Sequence, residues 1–134
     1  MTDVLDDIDQ KILELLKQDS RLTNKQIGEK VHRTGQAIGA RITRMCEYGI
    51  IKNYTIQIQQ SEQQFIRLIL TEHHFVEVEE LVKQFQAIDA CYKTAGDACY
   101  MVVAHFNSQE LAQFVDTISP YCHYSVSTVM KQTL

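Results

Sequence analysis

The chain has 134 residues, 45% hydrophobic and 22% charged, with a net charge of −4, which is enough for one domain or two small ones. It contains no apolar run of membrane-spanning length, and its acidic start Met1-Thr2-Asp3-Val4-Leu5-Asp6-Asp7 has neither the basic flank nor the apolar core of a signal peptide, so a cytoplasmic location is expected. Cys46, Cys91, Cys99 and Cys122 form no CxxC pair and the five histidines have no ligand spacing, so no metal or cofactor is expected and the cysteines read as small hydrophobes.

Leu5, Ile8, Ile12, Leu15 and Leu16 recur at helical spacing and predict a first helix that stops near Asp19-Ser20. Asp6, Asp7 and Asp9 lie at its start, where negative charge favours the helix dipole. Thr23-Asn24-Lys25-Gln26 is a capping box, with Leu22 and Ile27 placed for a hydrophobic staple, and predicts a second helix to about Val31. After a break at His32-Arg33, Thr34 caps a third helix. Ile38, Ile42 and Met45 share its buried face, and Gly49 ends it. Ile50 to Ile58 alternates and predicts a strand, a wing that brings Lys52 to a nucleic-acid backbone.

Two short helices joined by a tight turn describe a helix-turn-helix, whose last helix enters the major groove. From Arg21 to Lys52, seven Arg and Lys stand against Glu29 and Glu47, a local charge of +5 in an acidic chain. That is the electrostatic footprint of a DNA-reading module. The expected contact set is Thr34, Gln36, Ala37, Ala40, Arg41, Arg44 and Lys52. Gln suits adenine, while Arg suits guanine or phosphate.

Leu5-Asp6-x-x-Asp9-x-x-Ile12-Leu13, Arg21-Leu22-Thr23-Asn24, Arg41-Ile42-x-Arg44-Met45 and Gly49-Ile50-Ile51-x-x-Tyr54-Thr55 together resemble the Lrp/AsnC (feast/famine) transcription regulators. The resemblance covers nearly all of the N-terminal half. It departs at Thr34-Gly35-Gln36, where the family usually has Ser-Pro-Ser, and at Gly39, where serine is common. It implies a sequence-specific regulator of transcription that binds double-stranded DNA, assembles as a homodimer or octamer, and responds to an amino acid held between subunits.

Gln59 to Gln64 is polar and reads as a linker. Phe65–Thr71 is an apolar strand, and Val78, Leu81, Val82 and Phe85 mark a helix from about Val76 to Ala87. Strands at Cys91–Thr94 and Cys99–Phe106 flank the turn Ala95-Gly96-Asp97-Ala98. A helix from Ser108, with Leu111, Phe114, Val115 and Ile118 inward, ends before Pro120, and Ser125–Lys131 is the last strand. The order βαββαβ is that of a ferredoxin-like fold. The fold expected is therefore α+β: a winged helix-turn-helix over residues 1–53, a linker or hinge over 54–64, and a ferredoxin-like sensing and dimerisation domain over 65–134.

From Tyr54 onward, four cations face nine acids, a charge of −5 that is unsuited to nucleic acid. In relatives the turn between the second and third strands reads Gly-Asp-aromatic-Asp and helps form the amino-acid pocket. Here it reads Gly96-Asp97-Ala98-Cys99-Tyr100, so the resemblance implies a ligand site at Gly96, Asp97, Cys99 and Tyr100. Siroheme decarboxylases share this two-domain layout, and such an enzyme would recruit Arg67, His105 and His123 to a tetrapyrrole. The basic recognition helix and the lack of a paired acid-base motif favour a protein that is not an enzyme and has no catalytic residues. The residues leave open an architectural DNA-binding protein with no effector.

Overall fold

A computed structural model describes residues 5–134; the start Met1–Val4, part of the signal-peptide reading, lies outside them. The chain forms two compact units that divide after Gln57, inside the stretch expected as a linker.

The first unit is three helices: α1 (Asp7–Gln18), α2 (Asn24–Val31) and α3 (Gly35–Glu47). Helix α1 opens on a capping box made of two aspartates. The Asp6 carboxylate accepts the Asp9 N–H at 2.8 Å, and the Asp9 carboxylate accepts the Asp6 N–H at 3.2 Å. Helix α2 opens on the expected Thr23/Gln26 box, with contacts of 2.8 and 3.1 Å. Thr34 Oγ1 caps α3 by accepting the Ala37 N–H at 3.1 Å. At the far end Gly49 takes φ 71°. Its N–H donates to the Cys46 carbonyl at 3.0 Å and the Ile50 N–H to Met45 at 2.9 Å, the two bonds of a Schellman stop. Ile12, Ile27, Val31, Ile38 and Met45 are the core; Ile42, expected in it, is half-buried at its edge.

The predicted strand Ile50–Ile58 does not form. Its alternation survives as exposed apolar side chains, with Tyr54 55%, Ile56 78% and Ile58 66% exposed. Among the described residues no second strand lies beside it, and a strand without a partner leaves its backbone groups to water. Lys52 therefore sits on irregular, exposed backbone rather than on a paired wing.

The second unit is β1 (Gln64–Leu70), α4 (Phe75–Val82), β2 (Ile88–Lys93), β3 (Tyr100–Ala104), α5 (Ser108–Ile118) and β4 (Cys122–Thr128). The strands form one sheet in the order β2-β3-β1-β4, antiparallel throughout, which is the ferredoxin-like order. Residues Ile66, Leu68 and Val102 face the helices and join Val78, Phe114 and Ile118 in the core. Helix α4 stops before the predicted Ala87. Its end tightens through the Gln84 N–H to Leu81 and Phe85 N–H to Val82 bonds, 3.1 and 3.3 Å, which turns the Phe85 ring edge-on to Phe114 at 5.1 Å. Helix α5 starts at Ser108 as expected, capped by Asn107, and β4 begins three residues before the expected Ser125. The buried Gln64 amide pairs twice with the Phe106 backbone, each bond 2.9 Å, and so fastens β1 to the segment that leaves β3. The opposite sheet face is open. Phe65 (43% exposed), Ile69 (42%) and Tyr92 (60%) lie on it beside half-buried Met101 and Val103.

Candidate nucleic-acid interface

The turn between α2 and α3 is held by close backbone approach. The α2 chain ends on His32 in the left-handed region, φ 57°, and the Arg33 N–H donates to the Gly28 carbonyl at 2.9 Å. A Cβ on Gly28 would lie 2.3 Å from the Arg33 oxygen, so no larger residue fits there without moving the turn. Gly35, where the resembling family carries proline, packs against the Lys25 backbone, and a Cβ there would lie 3.2 Å from its nitrogen. Gly39 faces the Asn24 amide, with its would-be Cβ 3.0 Å away. Both departures from the family pattern thus lie where α3 rests against α2. Their cost in helix propensity, on the order of 1 kcal/mol each, accompanies that close packing.

Gln36, Ala40, Thr43 and Glu47 form the exposed stripe of α3, spaced four, three and four residues apart. Ala37 and Gly39 flank it, half-buried. Thr34, Lys25 and Arg33 are exposed around the α3 N-terminus and, with Glu29, His32 and Ala37, line an open cleft of about 620 Å³. A capped helix start, an exposed row that opens with Gln36, Ala40 and Thr43, and flanking cations suit a major groove and its phosphates. Thr43, Lys25 and Arg33 were not in the contact set read from sequence. The position opposite Ile38, Ile42 and Met45 on the helical wheel identifies Thr43. The cations flank the predicted turn.

Arg41 and Arg44 are placed differently from that reading. Arg41 Nη1 donates to both Asp6 oxygens at 2.7 and 2.8 Å and to Asp9 Oδ1 at 3.0 Å. Arg44 Nη2 meets Asp9 Oδ2 at 2.5 Å. The Asp9 side chain is 0% exposed, and Arg41 is 25% exposed. The Arg41 hydrogen bond, helped by the Asp9 N–H, holds the Asp6 carboxyl down to about 2. Both guanidinium groups lean from α3 onto the start of α1. The signal was present in the sequence as two acids three apart, Asp6 and Asp9, matched by two arginines three apart.

In the second unit the Gly96–Asp97 turn is exposed, and Gly96 takes φ 126°. It is closed by the Thr94 N–H to the Cys99 carbonyl at 2.9 Å and by Thr94 Oγ1 to the Ala98 carbonyl at 2.7 Å. Cys99 packs half-buried on the core while its N–H donates to Leu68 at 2.8 Å. Tyr100 points into the core, and its hydroxyl donates to Glu79 of α4 at 2.7 Å. Burial first, then that carboxylate, pushes its ionisation up. Gly96 and Asp97 are thus brought together at the surface, and Tyr100 is directed away from them. Of the three residues an enzyme reading would recruit, Arg67 and His123 are exposed on neighbouring strands, and His105 Nδ1 is 2.9 Å from Asp89.

Comparison with known proteins matches each unit separately. A family model for winged helix-turn-helix DNA-binding covers residues 5–52, and one for the Lrp/AsnC ligand binding domain covers residues 63–134. The HTH-type transcriptional regulator LrpA of Bacillus subtilis is 35% identical over 95% of this chain and 98% of its own. LrpB of the same organism is 32% identical over 96% of this chain and 90% of its own. Among solved structures, B. subtilis LrpC superposes with a TM-score of 0.86 at 27% identity over 96% of both chains. A Neisseria meningitidis transcriptional regulator solved as an L-Met complex gives 0.84 at 24% identity over 97% of this chain and 92% of its own.

Proposed function

Because the chain belongs to the Lrp/AsnC family of HTH-type transcriptional regulators, we propose that its double-stranded DNA contacts come from the exposed stripe of α3 and the cations beside its N-terminus. Gln36, Ala37, Ala40 and Thr43 face base edges in this reading, with Thr34, Lys25, Arg33 and Lys52 on phosphates. The observation that carries it is the single outward row Gln36-Ala40-Thr43 beginning at a capped, cation-flanked helix start. The protein acts in the cytoplasm and catalyses nothing, in keeping with relatives that are transcriptional regulators.

The test is binding to duplexes selected from genomic DNA, measured against salt. Gln36→Ala should relax specificity at one position, at a cost of about 1–3 kcal/mol. Arg33→Ala should weaken all sequences alike and lower the salt slope by about 0.9. If neither variant changes binding, the DNA surface lies elsewhere.

The second unit is the sensing and pairing part in this reading. An amino acid binds at the Gly96–Asp97 turn, where the Asp97 carboxylate meets its ammonium group and Gly96 leaves the backbone N–H groups open to its carboxylate. The L-Met held by the Neisseria regulator of like fold supports that ligand class. The open sheet face is covered by a second copy of the chain, since Phe65, Ile69 and Tyr92 otherwise stay in water.

A further inference from the structure

Among the described residues, the four charges between α1 and α3 form a closed set. Asp9 is fully buried, and each of its oxygens accepts from a different arginine; Asp6 holds the first of those arginines a second time. The cluster is neutral in sum. Two of the seven cations that make the local sequence basic are therefore cancelled by α1 carboxylates.

Two physical consequences follow for α3. First, its flank toward α2 carries glycines, Gly35 and Gly39, with no side chain to interlock. Its core flank, Ile38 and Met45, sets the face that turns inward but makes no directional bond. The directional side-chain bonds that tie it to the start of α1 are those of Arg41 and Arg44. Second, a phosphate that pulled either arginine off its carboxylate would leave the buried Asp9 short of a partner, which low-dielectric surroundings oppose strongly. Among the described residues Arg44 Nε is buried without a partner, and Nη2 holds the guanidinium to Asp9.

We propose that Asp6 and Asp9 are positioning residues for DNA readout: acting through Arg41 and Arg44, they fix the roll of α3 that turns Gln36, Ala40 and Thr43 outward, and they withhold both arginines from the phosphates. The proposal rests on α3 being the recognition helix.

The experiment compares affinity for a selected genomic duplex with affinity for a scrambled duplex of equal length, across a salt series, using the full chain. Arg41→Lys keeps the charge but, on a chain one atom shorter, cannot reach both Asp6 and Asp9 as Nη1 does. It should lower the selected-to-scrambled ratio by about tenfold or more and leave the salt slope at its wild-type value. Asp6→Asn, at an exposed site where the amide still caps α1, should lower the ratio in the same direction; it decides the matter if Arg41→Lys does not fold. A ratio within about twofold of wild type in the folded variant overturns the proposal, as does a salt slope lowered by about 0.9 in Arg41→Ala. Gln36→Ala and Arg33→Ala are run alongside. If those two are silent, the recognition-helix reading has failed. If they respond while Arg41→Lys binds and discriminates as wild type, only the positioning role has failed.

Discussion

At the scale of the residue, Asp6 does two jobs with one carboxylate: it caps α1 by accepting the Asp9 N–H, and it holds Arg41. Its pKa of about 2 lies below the ordinary aspartate value, so the folded form prefers the ionised group. A lowered carboxylate pKa contributes stability that is present above the unfolded value, near 4, and is lost as pH falls toward about 2. The wild type should therefore lose its advantage over Asp6→Asn between about pH 4 and pH 2 and nowhere above that range. Denaturant midpoints of both proteins, followed by helical circular dichroism from pH 7 to pH 2, measure this. A gap that stays constant across the range means that the ion pair does not set the Asp6 pKa.

At the scale of the element, short-range chemistry was legible and pairing was not. The Thr23/Gln26 box, the Thr34 cap and the Gly49 stop are each decided within six residues, and the chain forms all three. The strand at Ile50–Ile58 needs a neighbour, which alternation alone cannot supply, so the pattern is present and the ladder is not. The same limit hid the site of Arg41 and Arg44. Helical position away from Ile38, Ile42 and Met45 makes both outward, yet the start of α1, more than thirty residues earlier, lies against them. Order and class of the later elements were readable from periodicity, but α4 stops at Val82, and Phe85 beyond it packs onto Phe114, a contact between distant segments. The α2–α3 turn gives the sharpest test at this scale. Gly28→Ala forces a methyl group to within 2.3 Å of a carbonyl oxygen that backbone geometry holds in place. Overpacking of that kind costs about 1–3 kcal/mol. The thermal midpoint of the helical unit should fall accordingly and DNA binding with it; an unchanged midpoint would mean that the turn yields freely.

At the scale of the whole molecule, charge and surface divide the labour. The helix-turn-helix half carries the cations and the acidic half carries an open apolar sheet face. Ile69→Glu places a charge on that face near the end of β1, opposite His123 on the neighbouring strand, without touching the core beneath it. Sedimentation at micromolar concentration should show a dimer for the wild type and a shift toward monomer for the variant; equal mass for both would remove the sheet face from the assembly. The unpaired run through Tyr54, Ile56 and Ile58 has a further, practical consequence. Proteases cut extended backbone that no ladder protects. Brief chymotrypsin treatment should therefore cleave first after Tyr54, and mass spectrometry should find a fragment beginning at Thr55 before any cut inside the sheet. The linker thus gives a way to obtain the sensing half by digestion, for ligand titration free of DNA-binding residues.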